Sequence, residues 1–137
     1  MEIKYINPEN MLKPRGYSHA ISVSGGRKTV YIGGQNAVDE SGNLIGKGNL
    51  GQQTKQVLTN IEKILLNVGG TLGNVVKFNI HILHGQNPLE GFQVFQEKWG
   101  DKSNFPVITV IFVTGLVNQA WLVEIDAVAE IPDENKL

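Results

Sequence analysis

Residues 106–114 constrain the fold of this chain more than any other segment, because they are apolar on both faces of an extended strand. Val107, Ile111 and Val113 point to one side, whereas Ile108, Val110 and Phe112 point to the other. A strand with this pattern has to be buried on both sides. The rest of the sequence predicts only two helices, so another subunit is a candidate for the second cover.

Two segments have the period of a helix. In residues 52–68, apolar residues recur at spacings of three and four, which predicts one buried stripe. The stripe consists of Val57, Leu58, Ile61, Ile64, Leu65 and Val68, and the expected solvent side consists of Gln53, Lys55, Gln56, Glu62 and Lys63. Gly69-Gly70 then ends the helix, since glycine readily adopts the left-handed cap conformation. The second helix is predicted at residues 88–99, with Pro88 in its first turn and with Phe92, Phe95 and Trp99.

The remaining apolar segments have the features of strands. Residues 75–83 alternate, with Val76, Phe78, Ile80 and Ile82 on one face and Lys77, Asn79 and His81 on the other. Residues 120–131 alternate in the same way. The short apolar runs at 19–23 and 28–35 are separated by Gly25-Gly26-Arg27, which predicts a hairpin. A further strand is expected at residues 3–6.

The order of these elements predicts a single domain over residues 1–137 with an α+β fold. Two helices and several strands imply one mixed β-sheet that both helices cover on the same face. The other face of the sheet is partly apolar, and a large exposed apolar patch is unusual on a monomer. The sequence therefore predicts a homo-oligomer.

Composition excludes several classes of partner and location. The net charge is −1 and the chain has only two arginines, Arg15 and Arg27, so nucleic acid is not an expected partner. No apolar stretch is long enough to span a membrane. The N-terminus, Met1-Glu2-Ile3-Lys4, lacks the order of a signal peptide. Together these features predict a cytoplasmic protein that does not associate with membranes.

The sequence also argues against metal-dependent and nucleophilic chemistry. There is no cysteine, which excludes thiolate catalysis and disulfides. The three histidines, His19, His81 and His84, have no ligand-like spacing, and a zinc site needs three or four convergent ligands. Neither a phosphate-binding loop nor a Ser/His/Asp arrangement is present. No metal site and no cofactor are therefore expected.

Five segments in order resemble the RidA (YjgF) family of imine and enamine deaminases. They are Gly16-Tyr17-Ser18-His19-Ala20, Tyr31-Ile32-Gly33-Gly34-Gln35, residues 53–61, Gly69-Gly70-Thr71-Leu72 with Val75-Val76-Lys77, and residues 122–129. No single segment is specific, but together they cover roughly residues 14–131. The resemblance implies a chorismate-mutase-like fold, a homotrimer with a central barrel, and ligand clefts between subunits. In deaminating members, an imine or enamine is hydrolysed to a carbonyl compound and ammonia without a cofactor or metal.

The resemblance assigns roles to seven residues. Glu124 matches the acidic residue that positions the attacking water, and Tyr17 matches a tyrosine that lines the cleft. Gly33 stands where the family has a serine, and Gly34 and Gln35 continue that strand end. Phe92 stands where an asparagine is expected, and Ile108 stands where an arginine binds the substrate carboxylate. These residues are the candidates for the site: Glu124 as the catalytic residue, and Tyr17, Gly33, Gly34, Gln35, Phe92 and Ile108 as binding residues.

Two of these candidates, Glu124 and Tyr17, also have a structural interpretation. Glu124 shares its strand face with Asp126 and Glu130, and an acidic residue in that pattern usually faces solvent. The Tyr17 ring could simply pack, with its hydroxyl bonded to backbone. Arg15, beside Gly16-Tyr17, is a conceivable replacement for the missing arginine, although an arginine on such a loop is usually solvated.

Three functions follow from this pattern. The first is hydrolysis of imines or enamines other than simple 2-imino acids, because Ile108 favours an uncharged or apolar ligand group. The second is a non-catalytic module that binds a small molecule. The third, a ribonuclease, is disfavoured by the low arginine count.

Overall fold

The structure, a computed structural model, describes residues 1–100 and 103–133. Its strands are β1 (Glu2–Ile6), β2 (Ala20–Ser24), β3 (Arg27–Gln35), β4 (Val75–Leu83), β5 (Val107–Val113) and β6 (Val123–Pro132). Its helices are α1 (Leu50–Asn67) and α2 (Pro88–Trp99), and a 3-10 turn spans Leu72–Asn74. Every helix and strand predicted from periodicity is present in the described ranges, with ends that differ by a few residues.

The main sheet has the strand order β3-β6-β4-β5. Strands β4 and β5 are parallel and are joined through α2, whereas the other neighbouring pairs are antiparallel. Both helices pack on one face of this sheet, and Phe78 of β4 contacts the rings of Phe95 and Trp99 of α2. The predicted α+β fold with two helices on a mixed sheet is confirmed.

The apolar stripe of α1 forms the centre of the core. Its residues Val57, Leu58, Ile61 and Leu65 are fully buried. The prediction that Gln53 faces solvent is wrong, because this side chain is also fully buried. Its amide bonds to backbone groups of two loops, which removes the cost of burying a polar group.

The alternation of β4 differs from the prediction at the start of the strand. Phe78, Ile80 and Ile82 face the helices as expected. Val76 does not join them, because the register against β6 shifts between Val75 and Lys77. A bulge places an extra residue on one strand and so reverses the alternation of side chains on either side of it. Val75 is therefore buried, and Val76 is only partly buried.

The predicted hairpin between residues 19–23 and 28–35 is wrong. Strand β2 pairs antiparallel with β1, with Ile3 opposite Val23, and β3 pairs with β6 in the other sheet. Consecutive strands are neighbours only about two-thirds of the time. Here β3 gains a long partner in β6 that buries Ile32 in the core, whereas every residue of β2 remains at least partly exposed.

Strand β5 forms one edge of the main sheet. Ile108 and Val110 pack against the core on the helix side. On the opposite side Ile111 is 46% exposed, and on the helix side Phe112, near the end of the strand, is 51% exposed, so one chain covers this doubly apolar strand only in part. None of the helices in the described ranges is long and apolar enough to cross a membrane.

Candidate functional site

The predicted site residues fall into two groups on opposite faces of the main sheet. Ile108 lies beside Phe78, whose ring faces the helices, and Glu124 lies beside His81. Because residues 78 and 81 of β4 point to opposite faces, so do Ile108 and Glu124. Tyr17 and Phe92 accompany Ile108, and Gly34 accompanies Glu124. Gln35 instead lies opposite Ile125, a core residue, and its side-chain amide donates to the Gly33 carbonyl at 3.1 Å.

The first group lines a pocket of about 520 Å³ between α2, β5 and the segment around Gly16. Its wall contains five aromatic residues, Tyr17, Phe92, Phe95, Trp99 and Phe105, together with Ile108 and Val110. Arg15 and Gln96 add polar side chains to this wall. Small-molecule sites typically have this size and a mainly apolar lining with a few polar groups.

Ser18 holds the Tyr17 segment against the start of β5. This serine is 4% exposed; its hydroxyl donates to the Phe105 carbonyl at 2.7 Å, and its backbone N–H donates to the Pro106 carbonyl at 3.0 Å. The Tyr17 ring meets the His19 ring edge-on at 5.6 Å. Sequence reasoning singled out Tyr17 and missed Ser18, although a small hydroxyl residue beside a site tyrosine is a suitable anchor.

Stacked rings form the floor of the pocket. Phe95 and Trp99, one helical turn apart on α2, stack with their planes 11° apart. The Trp99 indole N–H donates to the Asn104 carbonyl at 3.0 Å, which ties the helix end to the following loop. Phe92, one turn earlier, is 38% exposed and lies at the opening.

The second group surrounds the Glu124 carboxylate on the uncovered face of the sheet. The Asn36 amide donates to Glu124 Oε1 at 3.2 Å. Strand β3 bulges between Ile32 and Gln35, where Gly34 passes directly under the carboxylate. A Cβ at Gly34 would lie 2.8 Å from Glu124 Cδ, so the absence of a side chain here leaves room for the carboxylate in this position.

A chain of amides connects Glu124 to α1. Gln56 donates to the Asn60 side-chain oxygen at 2.9 Å, and the Asn60 amide donates to the backbone carbonyls of Asn36 at 3.1 Å and Val38 at 2.9 Å. Asn36 in turn holds Glu124. Sequence reasoning missed Asn36 and Asn60; a polar residue beside the apolar stripe of α1 was the available signal.

One oxygen of the Glu124 carboxylate is open to a further hydrogen bond. Within the part of the chain that the structure describes, Oε2 has no hydrogen-bond donor, and the side chain is only partly buried. A carboxylate fixed at one oxygen and open at the other can orient a water molecule. Among the described residues, no three His, Asp or Glu side chains lie close enough together to hold a metal ion.

Known proteins match this chain along almost its whole length. The model of the family described as Endoribonuclease L-PSP matches residues 9–131. A RutC family protein from Pyrococcus abyssi is 31% identical, with 94% of this chain and 98% of that protein covered. Human 2-iminobutanoate/2-iminopropanoate deaminase is 31% identical, with 82% of this chain and 78% of the human protein covered.

The fold matches a solved structure equally well. YyfB from Yersinia pestis, a Rid family protein of unknown function, superimposes with a TM-score of 0.81 at 32% identity. The match covers 94% of this chain and 98% of YyfB. The family model, the relatives and the shared fold agree with each other, and the chain therefore belongs to the RidA/YjgF family.

Proposed function

We propose that this protein hydrolyses reactive imines or enamines to carbonyl compounds and ammonia, in clefts between the subunits of a homotrimer. One observation carries the proposal: Ile108 and Glu124 lie on opposite faces of one sheet. Residues so placed can share a cleft only when two copies of the chain meet. The deaminase activity in the name of the human relative supports the reaction class.

The uncovered sheet face supports the assembly. Its two middle strands carry polar side chains, among them Asn79, His81, Glu124 and Asp126. Its two edge strands carry exposed apolar ones, Tyr31 on β3 at 81% and Ile111 on β5 at 46%. Exposed apolar residues of this size favour contact with another protein surface. Edge-to-edge contacts between three copies would close the sheets into a barrel and bring the pocket of one chain beside Glu124 of the next.

Glu124 is the proposed general base. A water on its free oxygen would attack the imine carbon while the carboxylate accepts the proton. Glu124 passes this first proton to the nitrogen, which gives the neutral carbinolamine. The carboxylate then takes the hydroxyl proton and passes it to the same nitrogen, so the C–N bond breaks, ammonia leaves and the C–O bond becomes the carbonyl. The Asn36 amide keeps the carboxylate in position for both proton transfers.

Ile108 makes simple 2-imino acids poor substrates for this site. The family's arginine binds a carboxylate at this position, and a charge-assisted contact of that kind contributes about 1.5–3 kcal/mol. Without it, binding of a small carboxylated imine is expected to weaken roughly 10- to 100-fold. A substrate with another recognition element is therefore expected.

The test is ammonia release from freshly generated 2-imino acids with small and bulky side chains. Wild-type protein should accelerate release from at least one of them, and Glu124→Ala should not. Asp126→Asn is the matched control, because Asp126 lies two residues further along the same face and its Asn79 hydrogen bond needs only an oxygen. Equal rates in wild type and Glu124→Ala would refute the assignment.

The second candidate is a small-molecule binding module of the same fold without catalysis. It is favoured by three departures from the family's pattern, at Gly33, Phe92 and Ile108. The presence of a well-formed pocket also favours it. A ligand-dependent rise in melting temperature without turnover of any imine would support it. A nucleic-acid substrate is not proposed, because Arg15 is the single cation among the described residues of the pocket wall.

A further inference from the structure

We infer that the pocket between α2 and β5 selects a ligand that combines a ring-sized apolar group with a carboxylate, and that Arg15 is the residue that binds the carboxylate. Under the proposed function, on which this part rests, the substrates are then 2-imino acids with aromatic side chains. The binding inference depends only on the pocket itself.

The apolar requirement follows from the lining. Phe92, Phe95 and Trp99 line one side of the pocket along α2, and Ile108 and Val110 line the other along β5. A small polar ligand would leave these surfaces facing water, whereas a phenyl or indole ring would cover them. The volume of about 520 Å³ accommodates a ring together with a short chain.

The anionic requirement follows from the charge at the opening. Arg15 lines the pocket and also the adjoining groove, where Lys13 is a second cation. Among the residues that the structure describes, those that line the two cavities include no Asp or Glu. These described residues give the opening a positive charge, which favours a carboxylate over a neutral group.

Arg15 is also the arginine that remains able to bind a ligand. In the described ranges, no salt bridge or hydrogen bond engages its guanidinium. The chain's other arginine, Arg27, pairs with the buried Glu130 at 3.2 Å. A guanidinium can bind a carboxylate through two parallel hydrogen bonds, which adds orientation to the charge attraction.

The backbone keeps Arg15 next to the pocket. Gly16 follows it with a φ of 75°, a conformation that favours glycine, and Tyr17 and the anchored Ser18 come next. Both Arg15 and Tyr17 consequently line the same pocket. Ring and carboxylate of one ligand could thus be bound at the same time.

Calorimetric titration tests the binding inference with three unreactive probes: 3-phenylpropanoate, its neutral amide 3-phenylpropanamide, and propanoate. We expect the aromatic acid to bind about 10-fold more tightly than the amide. Propanoate should bind more weakly than either, because it leaves the rings uncovered. Equal affinity for the acid and its amide, or no binding of the aromatic acid, would overturn the inference.

Two variants test whether Arg15 causes the preference for the acid over the amide. Arg15→Gln should abolish the preference for the acid over the amide and leave amide binding unchanged. The matched control, Lys13→Gln, removes the same charge two residues away and should change the preference by less than about 2-fold, because Lys13 lines the adjoining groove and not the pocket itself. An undiminished preference in Arg15→Gln would refute the role of this residue.

Turnover separates this inference from the proposed function. Ammonia release should show a higher kcat/KM for 2-imino-3-phenylpropanoate than for 2-iminopropanoate. If the probes bind as expected but no imine is hydrolysed, the proposed function fails and the ligand class stands. If 2-iminopropanoate is hydrolysed at least as well as the aromatic imine, the substrate class fails and the proposed function stands.

Discussion

Gly33 and Gly34 are neighbours in the bulge of β3, yet their surroundings differ. A Cβ at Gly34 would come within 2.8 Å of Glu124 Cδ, whereas a Cβ at Gly33 would meet nothing within 4 Å. The atom that would have to move is near the end of a flexible side chain, so Gly34→Ala should displace the carboxylate rather than unfold the sheet.

The expected result for Gly34→Ala is a loss of imine hydrolysis of about 100-fold, because a displacement of about 1 Å is enough to misalign a general base. Ammonia release measures the loss, and urea unfolding should show a change below about 1 kcal/mol. Gly33→Ala is the control and should retain activity. Full activity in Gly34→Ala would mean that catalysis does not depend on the position that the Glu124 carboxylate takes over Gly34.

Ile108 offers the complementary gain of function. Ile108→Arg would place a guanidinium inside the aromatic pocket and should raise kcat/KM for 2-iminopropanoate by about 10- to 100-fold. Steady-state ammonia release measures the change. Ile108→Met keeps an apolar side chain without charge and should give no gain. A folded Ile108→Arg variant with unchanged kcat/KM would indicate that the pocket differs in more than this residue.

At the scale of elements, Gln53 shows how one buried amide joins three segments. Its Nε2 donates to the carbonyls of Gly46 at 3.2 Å and Ala120 at 3.0 Å, and its Oε1 accepts from the Leu122 N–H at 2.8 Å. These bonds fix the loops that precede α1 and β6. Periodicity alone placed Gln53 on the solvent side, because its partners are distant in sequence.

Gln53→Leu should lower the free energy of unfolding by about 3 kcal/mol, since it leaves three backbone groups without partners at about 1 kcal/mol each. Urea unfolding at one fixed protein concentration measures the loss, because association would otherwise shift the midpoint. Gln93→Leu makes the same change at an exposed position of α2 and should be nearly neutral. Similar shifts in both variants would contradict the assigned role.

Helices and strands were predictable because their patterns are local. The stripe of α1 and the alternation of β4 repeat within a few residues, so the sequence carries them directly. Pairing was not predictable in the same way, since the hairpin rule joins neighbours and β2 instead pairs with β1. The bulge at Val75 was also hidden, because it exists only relative to the register of β6.

At the scale of the whole molecule, the candidate site was predictable as a set of residues but not as a place. The resemblance supplied Tyr17, Phe92, Ile108 and Glu124, and their division between two faces of a sheet emerged only from the strand register. Arg15 illustrates the other limit: its position beside Tyr17 made it a conceivable replacement for the missing arginine, its loop context favoured a solvated side chain, and the fold places it in the wall of an aromatic pocket.

Under the proposed function, the same division makes activity depend on assembly, and Ile111→Lys tests this dependence. Ile111 lies on the uncovered face of β5 and is 46% exposed, so a lysine there is harmless to a single chain but would bury a charge between subunits. Light scattering after gel filtration should show a trimer for wild type and a smaller species for Ile111→Lys.

Imine hydrolysis should be lost together with the trimer, because the pocket and Glu124 would no longer meet. Leu66→Lys is the matched control: Leu66 is more exposed, at 76%, but lies on α1, in the layer that covers the other face of the sheet. It should keep both the trimer and the activity. A monomeric wild-type protein that still hydrolyses imines would disprove the intersubunit site. Loss of both the trimer and imine hydrolysis in Ile111→Lys, but not in Leu66→Lys, would show that the reaction depends on the sheet face that one chain leaves uncovered.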